Sequence, residues 1–199
     1  MGYITGKAAS NLLNVNANIP LLFVVSIIAD LDFLMPSLLE HRGLTHSVFF
    51  FLVIAFPSIL AWKKQVVPYL VAFASHPLLG DYLTASAAEG VQLFFPLSST
   101  WFSGGFELPL FTYAYLELAL FIAFLTLMLK TRDIMTLIKK NSSNLLLVIP
   151  ISTALLPVFL QFPLSVPPIL IIPHLILIIL LALPVLIDLK HLMYRQHRF

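Results

Sequence analysis

Six long apolar stretches occupy most of this sequence and constrain its fold more than any other feature. Each is close to the roughly 20 residues that a helix needs to cross the hydrocarbon layer of a bilayer. Their approximate bounds are 19–36, 46–62, 66–84, 108–129, 145–162 and 167–187. The sequence therefore predicts an all-α, polytopic transmembrane bundle of about six helices. We expect residues 1–199 to form a single membrane domain, with three of the helices within 108–190.

The composition agrees with a membrane-embedded chain. Hydrophobic residues make up 60% of the sequence and charged residues 10%, whereas a soluble domain carries roughly 25% charged residues. So few charges cannot cover the surface of a water-soluble fold of 199 residues, and disordered chains are poor in apolar residues. Because the chain has no cysteine, a metal ion here would be held by histidine, carboxylate or backbone oxygen.

The basic residues are distributed asymmetrically about the apolar stretches. If the N-terminus is cytoplasmic, every one of the 11 lysines and arginines except Arg42 falls in a cytoplasmic segment. Cytoplasmic loops of membrane proteins carry such an excess of positive charge. The sequence therefore predicts a multi-pass protein of the cell (inner, cytoplasmic) membrane with both termini in the cytoplasm.

Polar side chains at membrane depth gather towards the opposite, outer ends of the stretches. A charge inside a bilayer is costly unless it is paired or hydrated, so this gathering predicts one shared polar cavity that opens outward. Zinc favours histidine nitrogen with carboxylate oxygen, and manganese or magnesium favours more oxygen. Two short segments supply a set suitable for one or two such ions: Asp30, Asp32, His41, His46, His76 and Asp81.

The spacing of these residues places a demand on the helices that carry them. On a regular α-helix Asp30 and Asp32 point roughly 200° apart, which predicts that one binds an ion while the other orients a ligand. His76 and Asp81 point roughly 140° apart, so sharing an ion requires a distorted helix. Pro77 cannot join regular helical hydrogen bonding and predicts a kink or break at His76.

An ordered set of short motifs runs through the first half of the chain. It consists of Asp-x-Asp at 30–32, His-Arg-Gly-x-Thr-His-Ser at 41–47, His-x-x-x-Gly-Asp at 76–81 and Gly-Val-x-x-x-x-Pro at 90–96. This pattern resembles the YdjM-type family, whose members are described as inner-membrane, metal-dependent hydrolases. The resemblance covers roughly residues 20–100. Family members often carry a histidine near the start of the chain, and none precedes His41 here.

The resemblance implies roles for residues of these motifs. A spare carboxylate, Asp30 or Glu40, would be the catalytic base for a water activated by the ion. Arg42 would hold an anionic group of the substrate or neutralise an oxyanion. The resemblance also indicates a core metal set, which His41 and Asp30 would extend or orient: Asp32, His46, His76 and Asp81.

These observations lead to three functional hypotheses. The first is a hydrolase that acts on an ester or phosphoester at the extracytoplasmic side, with membrane lipid as both its environment and its substrate. The second is a transporter of cations or protons without hydrolytic activity, and the third is a membrane scaffold with a structural metal. The stretches contain almost no polar residues towards the cytoplasmic side, which favours the one-sided cavity of an enzyme. The sequence has no stripe of basic residues of the kind that binds nucleic acid, so we expect no nucleic-acid partner.

Several other polar residues carry weaker signals. Ser47, at a predicted helix start, is more typical of a cap than of a nucleophile. Residues 85–107 are rich in aromatic side chains, which prefer the headgroup level of a membrane; this segment would be a lid over the site or an anchor. We expect His174 to pack between helices, and Asp188 and His191 to lie in a solvated cytoplasmic tail.

Overall fold

The fold is built from helices and turns throughout the residues that the structure describes. A computed structural model describes residues 1–35, 39–83, 90–106, 109–159 and 167–196. Within these ranges there is no strand, and Val91 and Phe102 form an isolated antiparallel bridge. The prediction of an all-α fold is therefore confirmed. The α-helices are α1 Gly2–Leu12, α2 Ile19–Ser26, α3 Val48–Trp62, α4 Val67–Ser75, α5 Leu110–Lys130, α6 Asp133–Ile138, α7 Val148–Phe159 and α8 Pro168–Gln196.

Three helices among the described residues are long and apolar enough to cross a membrane. Large apolar side chains remain exposed along them: Phe56 on α3 is 69% exposed and Phe111 on α5 is 75% exposed. Apolar surface of this extent is stable only against an apolar partner or solvent, so these helices have the surface of membrane spans. The candidate spans cover Val48–Gln65, Phe111–Lys130 and Pro168–Met193.

The first and third predicted stretches are interrupted helices. α2 is followed by a 3-10 helix, Ile28–Leu34, and α4 is followed by a π-helix, His76–Tyr82. The first interruption carries Asp30 and Asp32 and the second carries His76 and Asp81, so broken helices occur where the sequence places these polar residues. The start of the predicted fourth stretch and the end of the fifth lie outside the described residues.

The chain divides into two compact units. The first comprises Met1–Asn18 and Val25–Pro109, and it holds every residue of the four motifs. The second comprises Ile19–Val24 and Leu110–Phe199. The division therefore separates the motif-bearing part of the sequence from the last three predicted spans.

In the first unit, α1 lies against α4. The contact depends on small residues: a Cβ on Gly2 would lie 3.0 Å from the main-chain oxygen of Ala72 on α4 and would overlap the side chain of Ser26 on α2, and Gly6 is buried on α1. The main-chain N–H of Asn18 donates to the Tyr69 hydroxyl at 2.7 Å, after α1 has ended. Apolar periodicity does not predict α1, because glycine forms much of its buried face.

In the second unit, α8 packs against α5 and α7. The side chain of Asn144 is fully buried, and its Nδ2 donates to two main-chain oxygens near the end of α6, at 3.0 and 3.1 Å. Asp188 on α8 is 4% exposed and accepts a hydrogen bond from the main-chain N–H of Asn141 at 3.2 Å. The prediction that Asp188 belongs to a solvated tail is wrong, because this loop needs a buried acceptor; His191, on the same helix, is exposed.

Candidate metal centre

Three short, irregular segments of the first unit carry the polar residues of the site. The 3-10 helix Ile28–Leu34 carries Asp30 and Asp32, the 3-10 helix Leu44–His46 ends at a histidine, and the π-helix His76–Tyr82 carries His76 and Asp81. Irregular backbone inside a membrane is tolerated only where protein or a polar cavity satisfies its freed groups. In these three segments, polar side chains therefore lie beside main-chain groups that also need polar partners.

Four ligand atoms converge between these segments, and we call Asp30, His46, His76 and Asp81 the Asp/His cluster. His76 Nε2 lies 3.1 Å from Asp30 Oδ1 and 3.1 Å from Asp81 Oδ2. His46 Nε2 lies 3.4 Å from Asp81 Oδ2 and 3.9 Å from Asp30 Oδ1. Four donors arranged tetrahedrally at about 2.0–2.2 Å from one zinc ion are about 3.3–3.6 Å apart. The four nitrogen–oxygen separations are close to that spacing, and ligand atoms of Asp30, His46 and His76 all lie within 4.8 Å of one another, which is the size of a group that can hold one metal ion.

The π-helix explains how His76 and Asp81 reach the same point. Hydrogen bonds in a π-helix connect residue i to residue i+5, so side chains five residues apart lie nearly above one another. His76 and Asp81 have this spacing, and both occur in the π segment. The distortion required by the sequence is thus a widened helical turn, and Pro77 lies within it.

Two buried atoms of the cluster lack hydrogen-bond partners. His46 Nε2 and Asp81 Oδ2 are buried, and neither forms a hydrogen bond of regular geometry within the described residues, although Asp81 Oδ2 is in ion-pair contact with His76 Nε2 at 3.1 Å. The His46 side chain is 0% exposed and that of Asp81 is 12% exposed. A buried acceptor without a partner is costly, and a carboxylate offers only acceptor oxygens when ionised. A divalent cation would satisfy both atoms at once, so the donor chemistry and the orphaned atoms fit a metal ion.

Asp32 lies on the other side of His46 and has a different environment. Its Oδ2 accepts hydrogen bonds from the Thr45 hydroxyl at 3.0 Å and from the main-chain N–H of Arg42 at 3.2 Å. Its Oδ1 lies 3.2 Å from His41 Nδ1, and its side chain is fully buried. Asp32, His41 and His46 also form a group whose ligand atoms lie within 4.8 Å of one another. The hydrogen bonds to Asp32 make it a better anchor for neighbouring residues than an ion ligand.

The imidazole of His46 separates the two aspartates of the Asp-x-Asp motif. Its Nε2 faces Asp30 at 3.9 Å and its Nδ1 faces Asp32 at 3.5 Å. A 3-10 helix has three residues per turn, so residues two positions apart point to different sides. One aspartate consequently joins the Asp/His cluster while the other contacts the far edge of the ring.

Arg42 connects the two environments. Its Nε donates to Asp81 Oδ1 at 3.1 Å, while its main-chain N–H donates to Asp32. The residue has a φ of +62°, an uncommon conformation outside glycine, which turns the chain between Glu40 and Gly43. A Cβ on Gly43 would lie 2.9 Å from the main-chain oxygen of Glu40, so this tight turn needs glycine there.

The segment after the π-helix supports the same turn. The main-chain N–H of Gln92 donates to the Arg42 oxygen at 2.9 Å, and that of Val48 donates to the Leu93 oxygen at 2.8 Å. Gln92 is 4% exposed, and its Nε2 donates to Glu40 Oε2 at 3.3 Å. Glu40 is itself exposed, and the described hydrogen bonds and ion pairs connect it to Gln92 rather than to the Asp/His cluster.

Sequence reasoning missed the parts played by Gln92 and Thr45. Both lie inside motifs, at 90–96 and 41–47, and the position of each within its motif was the available signal. Ser47 is a helix cap, as expected: its Oγ accepts from the Phe50 N–H at 3.1 Å and donates to the Leu44 oxygen at 2.7 Å. The predicted loop 85–107 is described over 90–106, and its other residues lie outside the described ranges.

Comparison with known proteins agrees with the motif pattern. No curated protein and no solved structure matches the chain. The sequence family described as YdjM inner membrane protein matches residues 1–162, which include the four motifs and all the residues of the Asp/His cluster. The match extends beyond the motifs at both ends and takes in α1, α5 and α7. The chain therefore belongs to the YdjM inner membrane protein family.

Proposed function

We propose that the chain is a membrane-embedded, metal-dependent hydrolase of lipid esters or phosphoesters. Its site would face the extracytoplasmic side of the inner membrane, and both termini would be cytoplasmic. The membrane assignment follows from the family and from the three apolar helices. The orientation, the reaction and the substrate are further parts of the proposal. The orientation rests on the distribution of the basic residues, and the reaction and the substrate rest on the site and on the loop beside it.

One observation carries the metal-dependent part of the proposal. Each of two imidazole nitrogens lies 3.1–3.9 Å from both of two carboxylate oxygens, and two of these four atoms are buried without a hydrogen-bond partner in the described residues. Bringing two carboxylates together repels their charges unless a cation lies between them. A structural polar network would instead match each acceptor with a donor.

Three residues of the cluster would hold the ion: His46, His76 and Asp81. Catalytic zinc sites commonly use three protein ligands and leave one coordination position for water or substrate. Zinc suits this mixture of nitrogen and oxygen, and manganese or magnesium would need more oxygen ligands. When bound, such an ion supplies Lewis-acid polarisation of a carbonyl or phosphoryl oxygen and activates water for attack near neutral pH.

Asp30 is our choice for the catalytic base. Its side chain is 20% exposed, compared with 12% for Asp81, so water and substrate reach it most easily among the cluster's carboxylates. Its Oδ1 lies 3.1 Å from His76 Nε2, next to the position proposed for the ion, and would accept a proton from the attacking water. Glu40 is the weaker candidate because its carboxylate accepts a hydrogen bond from Gln92, outside the cluster.

Asp32 and His41 would orient the cluster instead of binding the ion. Asp32 receives hydrogen bonds from Thr45 and from the Arg42 main chain, and His41 lies against it at 3.2 Å. Residues that orient metal ligands in this way are common around histidine ligands. This proposal reverses the roles that the sequence suggests for Asp30 and Asp32.

Arg42 would stabilise negative charge on the substrate. Its guanidinium pairs with Asp81 through Nε, and its side chain is 26% exposed. A fixed cation beside a site from which water is partly excluded stabilises an oxyanion or a phosphate more strongly than it would in water. The pairing with Asp81 holds the guanidinium at the edge of the cluster.

A lipid substrate is supported by the loop that contacts Arg42. Gln92 bonds to the Arg42 main chain, and the same loop exposes apolar side chains: Leu97 is 86% exposed and Phe106 is 65% exposed. Aromatic and apolar side chains next to a polar site suit the headgroup level of a bilayer. A lipid ester at that depth would lie beside Arg42.

Metal analysis combined with a hydrolysis assay tests the proposal. Purified protein in lipid nanodiscs should contain about one zinc ion per chain by the three-ligand argument and should release product from phospholipid vesicles. His46→Ala and His76→Ala should lose both properties, whereas His174→Ala, on α8 of the second unit, should keep them. Unchanged metal content in the first two variants would contradict the site. Metal transport into proteoliposomes without lipid product would contradict the hydrolase.

Cysteine labelling tests the orientation. The natural chain has no cysteine, so single substitutions report without background. An impermeant maleimide added outside should label Ser99→Cys, in the exposed part of the loop, and should leave Thr136→Cys on α6 unlabelled until the membrane is permeabilised. The opposite pattern would place the site on the cytoplasmic side.

A further inference from the structure

The hydroxyl of Thr45 lies between the buried carboxylate of Asp32 and the ring of His46. Thr45 Oγ1 is 3.0 Å from Asp32 Oδ2 and 3.1 Å from His46 Nδ1. Thr45 is 6% exposed, His46 is 2% exposed and Asp32 is 1% exposed. The three groups therefore form a short polar chain from which water is excluded.

The direction of the hydrogen bonds in this chain follows from the donors available. A threonine hydroxyl has one hydrogen, and an ionised carboxylate only accepts. Thr45 donates to Asp32, so its oxygen is left to accept from His46 Nδ1–H. A neutral imidazole that carries its hydrogen on Nδ1 has a bare lone pair on Nε2.

The other edge of the ring is where that lone pair is needed. His46 Nε2 faces Asp81 Oδ2 at 3.4 Å and has no hydrogen-bond partner in the described residues. In the opposite tautomer Nε2 would carry a hydrogen and could not bind a cation. The state of Nδ1 therefore decides whether the cluster can accept an ion.

We infer that Thr45 is a positioning residue that fixes the Nδ1–H tautomer of His46, with Asp32 as the anchor of its hydroxyl. The inference rests on the proposed metal site and adds a residue that the ligand set does not contain. It also gives Asp32 a function that needs no direct contact with an ion. Groups that orient metal-binding histidines in this way typically change metal affinity about 10–100-fold when removed.

A pair of substitutions separates the hydroxyl from the shape of the side chain. Thr45→Val keeps the volume and removes the hydroxyl, whereas Thr45→Ser keeps the hydroxyl and removes a methyl group. Thr153→Val, on α7 of the second unit, removes a hydroxyl that bonds to main-chain oxygens of its own helix and is the matched control.

Zinc affinity of the full-length protein in nanodiscs, measured by competition with a chromogenic chelator, is the first readout. Thr45→Val should bind zinc about 10–100-fold more weakly than the natural protein, while Thr45→Ser and Thr153→Val should stay close to it. The d–d spectrum of bound Co²⁺ should change in Thr45→Val alone. Equal losses in Thr45→Ser and Thr45→Val would overturn the inference, because the hydroxyl would then not matter.

Nitrogen-15 NMR of labelled histidine in the metal-free protein is the second readout, and it does not depend on metal binding. With the imidazoles neutral, His46 should be the Nδ1–H tautomer in the natural protein and in Thr45→Ser, and should shift towards Nε2–H in Thr45→Val. An unchanged tautomer in Thr45→Val would overturn the role of Thr45. A natural protein that binds no zinc but shows this tautomer change would refute the metal site while the positioning of His46 stands.

Discussion

Two proline-containing regions of the chain differ in the helix that surrounds the proline. α8 contains Pro173 and Pro184 and remains α-helical over 29 residues. Pro77 lies in a segment that changes from α-helix to π-helix. Since proline removes one donor in either case, proline alone does not explain the widened turn.

The side chains around each proline explain the difference. The residues that flank Pro173 and Pro184 are almost all apolar, and the ring of His174, next to Pro173, contacts the Leu170 oxygen of its own helix at 2.7 Å. The regular hydrogen bonds that a helix keeps inside a bilayer therefore continue through α8. In the π-helix, His76 Nε2 and Asp81 Oδ2 belong to residues five positions apart and lie 3.1 Å from each other. A polar contact therefore selects the irregular geometry, and the proline lowers the cost of adopting it.

The largest effect is expected from replacing Asp81, the carboxylate near the end of the π-helix. Asp81→Asn removes the charge that faces two imidazoles and pairs with Arg42, so zinc affinity should fall by at least about 100-fold, the upper range for groups that only orient ligands. Glu117→Gln in the continuous helix α5 is the control. Competition titration measures both, and equal affinities would mean that the π-helix has no special connection with metal binding.

A smaller effect is expected at the turn before the site. Gly43→Ala would place a Cβ 2.9 Å from the Glu40 oxygen, and such crowding should lower the unfolding free energy by about 1–3 kcal/mol. Gly80→Ala, in the π-helix, has nothing within 4 Å of its added Cβ and should change little. Thermal unfolding in the same detergent compares them; a greater loss in Gly80→Ala would show that the π segment is the tighter of the two.

A smaller effect again is expected from replacing the prolines themselves. Pro77→Ala restores a main-chain donor, which favours an α-helical register that turns Asp81 away from His76, and zinc affinity should fall about tenfold as for a displaced orienting group. Pro173→Ala in α8 should leave it unchanged. If Pro77→Ala also leaves it unchanged, the polar contact maintains the π-helix without help from proline.

The smallest effect is expected for Glu40. Glu40 is exposed, and its carboxylate accepts a hydrogen bond from Gln92. Glu40→Gln should therefore change the unfolding free energy by less than about 0.5 kcal/mol, and it should leave lipid hydrolysis intact. Turnover of phospholipid vesicles is the measurement. Loss of turnover with normal zinc binding would make Glu40, and not Asp30, the catalytic base.

The sequence predicted the helical class and proposed the residues that the candidate site brings together because both signals are local. Apolar runs define the helices, and a string such as that at 41–47 places chemical groups next to one another in the chain. The need for a distorted helix between His76 and Asp81 followed from their spacing. That the distortion is a π-helix did not follow, because it depends on contacts with residues far away in sequence.

Contacts between distant segments account for what sequence reasoning missed. Arg42 pairs with Asp81, 39 residues away, and Gln92 supports the Arg42 turn through a main-chain hydrogen bond. The helix α1 escaped prediction for a different reason: its packing depends on Gly2 and Gly6, which have no hydropathy signal. None of these features is encoded by periodicity or composition.

The hydrogen bonds of Asp32 have a consequence for biogenesis. Its partners at His41, Arg42 and Thr45 lie 9, 10 and 13 residues further along the chain, so they can pair with this carboxylate before the segment 76–81 is synthesised. Asp30 and Asp81 also have nearer contacts, with His46 and His76, but the hydrogen bonds that join the early motifs to the π-helix span 39 residues for Asp81 and 46 for Asp30. We therefore expect Asp32 to be paired early in synthesis, whereas the Asp/His cluster is complete only when the segment 76–81 packs against the earlier motifs.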